Sequence, residues 1–491
     1  MKKLFTLFAS MLMGLSAAAQ LERPKLVVGI MVDQMRWDYL YYYYNQFGQG
    51  GLRRLLNEGY SFDNTLINYV PTVTAIGHSS VYTGSVPALT GIAGNNVYEN
   101  GKSVDISADP TVKSVGSDNE AGRKSPRRLQ TTTIGDMLKM ATDGKAKVIG
   151  VALKDRAAMF PAGPGADAAY WWDTKAGHYI TSTYYMNELP KWVQEVNKKI
   201  GVKGGTEVKT TTKIGVDKTF QMAEAAIENE QMGLDSITDL LAISVSSTDA
   251  IGHTYGTRGK ENHEVYMELD RQLADFLGYL DSKVGRGNYL VFFTADHGAS
   301  HNYNVLRSYK LPGGGTDAGK TMPEIGLKAG QELGIGQNII LGEDANRIYL
   351  DHDLIAKSGK SLDEAKQVVI NLLNQLPTTL RAVDYEKVEQ APIPQRIKEM
   401  IVNGYYRPLS GDIYLISKAN WQDSPNNPKY TGTQHAMWNP YDAHIPFILM
   451  GWHVNHGQTV EPTHITDIAP TICAMLRIQM PGSCIGDAKM E

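Results

Sequence analysis

The chain has 491 residues, of which 42% are hydrophobic and 20% charged, an ordinary make-up for a globular protein of one large α/β domain or two to three average ones. Its 48 basic residues face 52 acidic ones, so no basic footprint marks a nucleic-acid-binding protein. After residue 19 no apolar run approaches membrane-spanning length.

In chain order, Met1-Lys2-Lys3 is a basic start, Leu4 to Leu15 a short apolar run, and Ser16 to Ala19 a set of small residues before Gln20. This pattern reads as a cleaved secretory signal, and the apolar run is too short for the alternative, a membrane anchor. The expected location is periplasmic or secreted. Without residues 1–19, which carry two Lys and no acid, 46 basic residues face 52 acidic, a net charge of −6.

Apolar runs at Leu26–Val32, Val148–Leu153, Leu240–Val245, Tyr289–Thr294 and Ile413–Ile416, a shorter one at Arg347–Leu350, and another at His444–Met450 predict buried parallel strands. Helical spacing falls between them, at Gly50–Asn57, Glu264–Leu280 and, after a Ser361 N-cap, Leu362–Leu376. Strands alternating with helices predict an α/β fold, a mainly parallel sheet covered on both faces. Residues 20–491 read as one such domain with insertions at about 157–235 and 299–410 on the loop side of the sheet. The first holds AAYWWDTKAGHYITSTYY, expected to form a hairpin turning at Lys175-Ala176-Gly177.

Gly314 to Thr321 (GGTDAGKT) in the second insertion fits GxxxxGK[ST] letter for letter. That motif cradles phosphate only between a buried strand and a helix N-terminus. Here SYKLP precedes it and Pro323 follows, so a flexible surface loop is the expected state. Cys473 and Cys484 are close enough in sequence for one local disulfide in an oxidising compartment, with two unpaired thiols as the alternative.

The chemistry gathers where apolar runs end. Asp33 closes KLVVGIMVD, Asp249 and His253 lie in SSTDAIGH, Asp296-His297 follows FFTA, and His435 stands in GTQHAMW. Each has a bland reading: Asp33 an N-cap, the pairs structural, His435 an ordinary histidine. Three acidic sites at separate strand ends are harder to dismiss, because open α/β sheets bind ligands at that edge. Carboxylates and imidazoles without cysteine suit Zn²⁺ or a similar divalent ion. Thr72 and Thr74 in PTVTAIGH each offer a hydroxyl that a metal ion would turn into a nucleophile; the residues alone leave the choice open.

VDQMRWDYL, LINYVPTVTAIGHSSVYTGSVP, GIAGNNVY, SPRRLQTTTIGD, ALKDRAAMFPAG, SSTDAIGHTYG, TADHGASHN and DAHIP together make the chain resemble the alkaline phosphatase superfamily, closest to the phosphate-irrepressible (PafA-type) bacterial alkaline phosphatases. The resemblance implies a three-layer α/β/α sandwich and a secreted or periplasmic phosphomonoesterase with two zinc ions. It implies Thr74 as the nucleophile, passing through a phosphothreonine. Asp249, His253 and His435 would hold one zinc; Asp33, Asp296, His297 and the Thr74 oxygen the other. Asn95, Lys154 and Arg156 would contact the phosphoryl oxygens of small phosphate monoesters. Two departures accompany it: the stretch from Arg156 to Asp249 is shorter, and no ligand set for a third, magnesium site is evident, with Lys154 suited to that region. The alternatives are a phosphodiesterase or nucleotide pyrophosphatase of the same superfamily, a sulfatase, which lacks its Cys or Ser nucleophile here, and a non-catalytic metal-stabilised binding protein.

Overall fold

Seven consecutive buried residues, Leu26–Val32 (β1), form the central strand of the computed structural model, which describes residues 22–202 and 213–490. The expected signal segment lies outside the described residues. With Tyr60–Phe62 (β2), Ser114–Val115 (β3), Val148–Ala152 (β4), Ala168–Asp173 (β5), His178–Ser182 (β6), Asp239–Val245 (β7), Tyr289–Thr294 (β8), Phe447–Gly451 (β9) and Gly457–Thr459 (β10) it builds a ten-stranded sheet in the order β10-β2-β9-β8-β1-β7-β4-β5-β6-β3. Strands β8, β1, β7, β4 and β5 run parallel. Their continuous apolar character follows from burial on both faces, and helices cover both sides as expected. Helix Lys260–Leu280 buries Val265, Leu269, Leu273, Phe276 and Leu280, one stripe at helical spacing, and packs on helix Lys213–Glu230, which lies against β7 and β4.

The register of the parallel strands sets the site. Met31 is level with Thr294 on one side and with Ser244 on the other, and Ser244 with Ala152. Two residues beyond that row come Asp33, Asp296, Ser246 and Lys154, so the sheet delivers three of the candidate residues to one edge.

Three expected strands differ from the reading of the sequence. His444–Met450 is broken at Pro446, which has no N–H for a ladder. His444–Ile445 pairs with Thr65–Leu66, and β9 runs antiparallel to β8. Arg347–Leu350 and the Ile413–Ser417 strand leave the main sheet altogether. They join Ile340–Asp344 and Thr379–Asp384 in a four-stranded antiparallel sheet with its own apolar cluster. An apolar run reports burial, not direction or sheet. The hairpin around Lys175-Ala176-Gly177 forms as β5 and β6; it extends the main sheet beside β4, and Trp171 to Lys175 line a cavity together with Lys154 and Arg156. Cys473 and Cys484 are both free thiols.

Gly314 to Thr321 is not a flexible loop. Gly314–Gly315 pairs with Trp421–Gln422, and a helix begins at Ala318 and runs to Glu332 through Pro323. Pro323 lies in the second turn, where it removes one backbone bond, to the Gly319 carbonyl, without ending the helix. The Asp423 carboxylate accepts the Ala318 N–H at 3.0 Å, so the place a phosphate would take carries a fixed negative group, and the strand before it is not part of the main sheet.

Candidate active site

Helix Thr74–Thr83 (α1) starts beside this edge, with Val73 as its N-cap and no side-chain cap. The Thr74 hydroxyl is therefore not spent on capping. The Lys154 ammonium donates to its Oγ1 at 3.4 Å. Thr72 is committed elsewhere: its hydroxyl donates to the Met437 carbonyl at 3.1 Å and lies 3.5 Å from Asp442. Gly77 lets α1 approach the Asp296 turn, because a Cβ there would stand 2.4 Å from the Asp296 carbonyl. His78, fully buried, lies with Nδ1 2.8 Å from the Thr74 carbonyl and 3.3 Å from Asp296 Oδ2, and with Nε2 2.7 Å from the Ser244 hydroxyl. A carbonyl only accepts, so Nδ1 carries the proton.

Asp33 and Asp296 are wholly buried, as is His297. The expected N-cap alternative for Asp33 does not hold: the next helix, Tyr39–Tyr42, is flanked by Asp38. Asp296 Oδ1 accepts the Gln34 and His297 N–H groups at 3.1 and 2.9 Å. Asp33 Oδ1, Asp296 Oδ2 and His297 Nε2 are buried with no hydrogen-bond partner. They face one another, with Nε2 at 3.6 Å from Asp33 Oδ1 and 3.4 Å from Asp296 Oδ2. Three orphaned electron-pair donors pointing at one spot in a dry interior are costly as they stand and are what a divalent cation requires.

Asp249 sits in the first turn of helix Ser247–Tyr255 (α2) and His253 one turn later, with His253 Nε2 3.1 Å from Asp249 Oδ1. His435 Nε2 approaches the same oxygen at 3.7 Å, and its ring stacks on His297 with centroids 3.7 Å apart. Asp249, His297 and His435 form one cluster of metal-competent atoms, Asp33, Asp296 and His297 the other; His297 stands between them, and His253 flanks the first. All three imidazoles use Nδ1 on a carbonyl: His253 on Thr433 at 2.9 Å, His297 on Gly298 at 2.9 Å, His435 on Thr72 at 2.6 Å. That fixes the tautomer that leaves Nε2 lone pairs facing inward, the usual support for a metal-binding histidine.

Lys154 is the resident cation. Its ammonium lies 2.5 Å from Asp33 Oδ2 and 2.6 Å from Asp249 Oδ2, so it binds one carboxylate of each group. The resemblance implies a substrate contact for it and suits it to the region of a third metal; in the structure it is tied to both ligand groups. Burial depresses the Lys154 ammonium, but Asp249 and Asp33 outweigh this and raise it. Burial, with Asp249 and Asp296 nearby, pushes Asp33 well above the usual carboxylate range. Burial also acts on Asp249 and Asp296, yet His253 and Lys154 hold the first well below that range, and His297 and His78 lower the second. Burial lowers His297 and His435. Three acidic side chains crowd one ammonium, a set that metal ions would balance.

Asn95 accepts the Ala75 N–H through Oδ1 at 2.9 Å, which fixes its side chain at the helix start beside Thr74. Arg156, in the first turn of helix Asp155–Ala162, keeps its guanidinium only loosely engaged, 3.8 Å from Asp155, and its buried Nε has no partner. Sequence reasoning missed Gln34, whose amide donates to Asp249 Oδ1 at 2.7 Å while its N–H holds Asp296. Its position next to Asp33 was the one available signal. It also missed His78, visible only as the last letter of PTVTAIGH.

Residues 27–438 match the type I phosphodiesterase / nucleotide pyrophosphatase family. Alkaline phosphatase PafA of Elizabethkingia meningoseptica is 42% identical over 98% of this chain and 96% of its own. A protein named calcium-transporting ATPase from Myroides odoratus is 41% identical over 97% and 96%, and alkaline phosphatase PhoV of Synechococcus elongatus is 41% identical over 94% and 92%. The crystal structure of wild-type alkaline phosphatase PafA superposes with a TM-score of 0.91 at 42% identity, covering 96% of this chain and 99% of that one.

Proposed function

This chain belongs to the type I phosphodiesterase / nucleotide pyrophosphatase family of the alkaline phosphatase superfamily, and from that premise we propose that it is an exported phosphomonoesterase, releasing inorganic phosphate by way of a phosphothreonine on Thr74. The observation that carries the reading is Thr74 itself, a hydroxyl at a helix start beside the Lys154 ammonium, which in turn binds a carboxylate of each ligand group.

Asp33, Asp296 and His297 would hold one zinc ion together with the Thr74 oxygen, and Asp249, His253 and His435 the other. When bound, such ions supply Lewis acidity to both the attacking and the departing oxygen of an in-line displacement. The chain does the rest. The positive end of α1 favours negative charge on the Thr74 oxygen, and Lys154 donates to it. Thr74 attacks phosphorus, the ester oxygen leaves, and water later cleaves the phosphothreonine. Arg156, through its guanidinium, and Asn95, through its amide, would meet the charge on the non-bridging oxygens. Lys154 and Arg156 together favour a dianionic monoester over a diester, which carries one fewer charge and an extra substituent.

The phosphodiesterase alternative has only the family's breadth in its favour. The name of the Myroides relative is compatible with this site in one respect: the terminal phosphoryl group of ATP has a single bridging oxygen, like a monoester. Ion transport has no counterpart, since no helix among the described residues is long and apolar enough to cross a membrane. Export rests on the basic, apolar and small-residue pattern of residues 1–19.

Hydrolysis of a phosphate monoester, a phosphate diester and a sulfate ester by the purified protein, with and without EDTA, tests the proposal. Monoester turnover is expected to dominate, to vanish with chelation and to return with Zn²⁺. A preference for the diester, or undiminished turnover after metal removal, would contradict it.

A further inference from the structure

Arg347 is the largest charged side chain with no exposure at all. It comes from the small antiparallel sheet, yet its fork reaches into the AGNN loop: Nη1 donates to the Ala93 carbonyl at 2.7 Å and Nη2 to the Asn96 carbonyl at 2.8 Å. Nε donates to the Asp344 carbonyl at 3.1 Å, and the Asp344 carboxylate pairs with Nη2. The same carboxylate accepts from the Asn96 amide at 3.3 Å. Gly94 makes room, because a Cβ there would stand 2.1 Å from Nη2. The loop is thus gripped on both sides of Asn95, whose own Oδ1 is fixed to the start of α1.

A buried guanidinium is expensive to desolvate, and ordinary loop anchoring needs no charge. The planar fork of arginine bonds two carbonyls three residues apart at once in a fixed geometry, which the rotatable ammonium of lysine does not impose. We propose that Arg347 is a positioning residue for phosphoryl binding: it locks the Ala93–Asn96 backbone so that the Asn95 amide points at the phosphoryl group. The small sheet is in this way coupled to the chemistry at the edge of the large one. The inference rests on the reading of Asn95 as a phosphoryl ligand.

A double-mutant cycle on the zinc-loaded enzyme tests it, with kcat/KM for 4-nitrophenyl phosphate, the inhibition constant of inorganic phosphate and bound zinc as readouts. Asn95→Ala is expected to lower kcat/KM on the order of 10–100-fold. Arg347→Lys, which keeps the charge but not the fork, is expected to lower it about tenfold and to weaken phosphate inhibition, with zinc unchanged. In the Asn95→Ala background the further loss should shrink to under about twofold, since coupled residues are not additive. Gly94→Ala pushes on the same guanidinium without removing it and should follow the same pattern; it carries the cycle if Arg347→Lys is not recovered folded. Losses that multiply with Asn95→Ala, or unchanged phosphate inhibition, would overturn the clamp while leaving Asn95 in place. An Asn95→Ala enzyme of wild-type kcat/KM would instead remove the reading of Asn95, and the clamp with it.

Discussion

Asp33, Asp296 and His297 stand at the ends of two adjacent parallel strands, and none of them exposes side-chain surface. Asp249, His253 and His435 come from a helix and a long connection, and the His253 side chain is 32% exposed. The first group is as rigid as the sheet register that delivers it, and burial leaves its free donors no water to turn to. The second is held by the backbone carbonyls of Thr433 and Thr72, and solvent reaches it at His253. A displacement at phosphorus needs both qualities: a fixed place for the nucleophile, and an open one where the alcohol departs and water enters. Lys154 and Gln34 span the two, each touching a carboxylate of either group.

That contrast is open to test from its strongest consequence downwards. Asp33→Ala removes a proposed metal ligand that has no substitute in a dry interior. The expected loss in kcat/KM is on the order of 10³-fold or more, the several kcal/mol that a metal ion contributes, with zinc content reduced and excess Zn²⁺ unable to restore it. His253→Ala in the open group should fall less, about 10–100-fold, and recover in part as free Zn²⁺ is raised, because metal affinity lost at an accessible site is regained by mass action. Equal losses, or recovery of the buried variant alone, would break the distinction.

Arg156→Ala should leave zinc content untouched and lower monoester kcat/KM by about 10–100-fold, the worth of one or two charge-assisted contacts. Diester turnover should fall less. Equal losses on both esters would mean that Arg156 does not set the preference. Lys154 is the poorer probe of substrate binding, because its ammonium also neutralises Asp33 and Asp249.

Gln34→Ala sharpens the comparison with the smallest effect. It deletes one amide contact to Asp249 and keeps the backbone contact to Asp296, so a loss of about tenfold, at the low end for a residue supporting metal ligands, should come with weaker zinc binding in the open group only. Zinc titration followed by activity reads both at once; loss from the buried group would show that the two are not held independently.

The sequence was legible where chemistry sits at the end of a buried run. Asp33, Asp249, Asp296 and Lys154 follow apolar strands, and parallel register brings such tips together whatever lies between. The choice of Thr74 over Thr72 was not legible from the residues, since either hydroxyl fits; the Met437 and Asp442 contacts of Thr72 separate them. Direction and sheet membership were hidden as well. FILM in β9 and IYLI in the small sheet look like parallel strands because burial alone sets their composition. Arg347 read as the first letter of a short strand, and no local pattern ties it to Ala93 and Asn96, more than 250 residues away. The GGTDAGKT motif misled in the other direction. Its helix exists, but Asp423, distant in sequence, occupies the helix start.

The central claim is that Thr74 carries the phosphoryl group. Zinc-loaded enzyme mixed with a monoester, quenched in acid within one turnover and digested, should yield a Thr74-containing peptide heavier by one phosphoryl group. Fragmentation should place that mass on Thr74, and Thr74→Ala should abolish it while Thr72→Ala keeps it. Phosphate found on Thr72 or on another side chain, or full turnover by Thr74→Ala, would contradict the account.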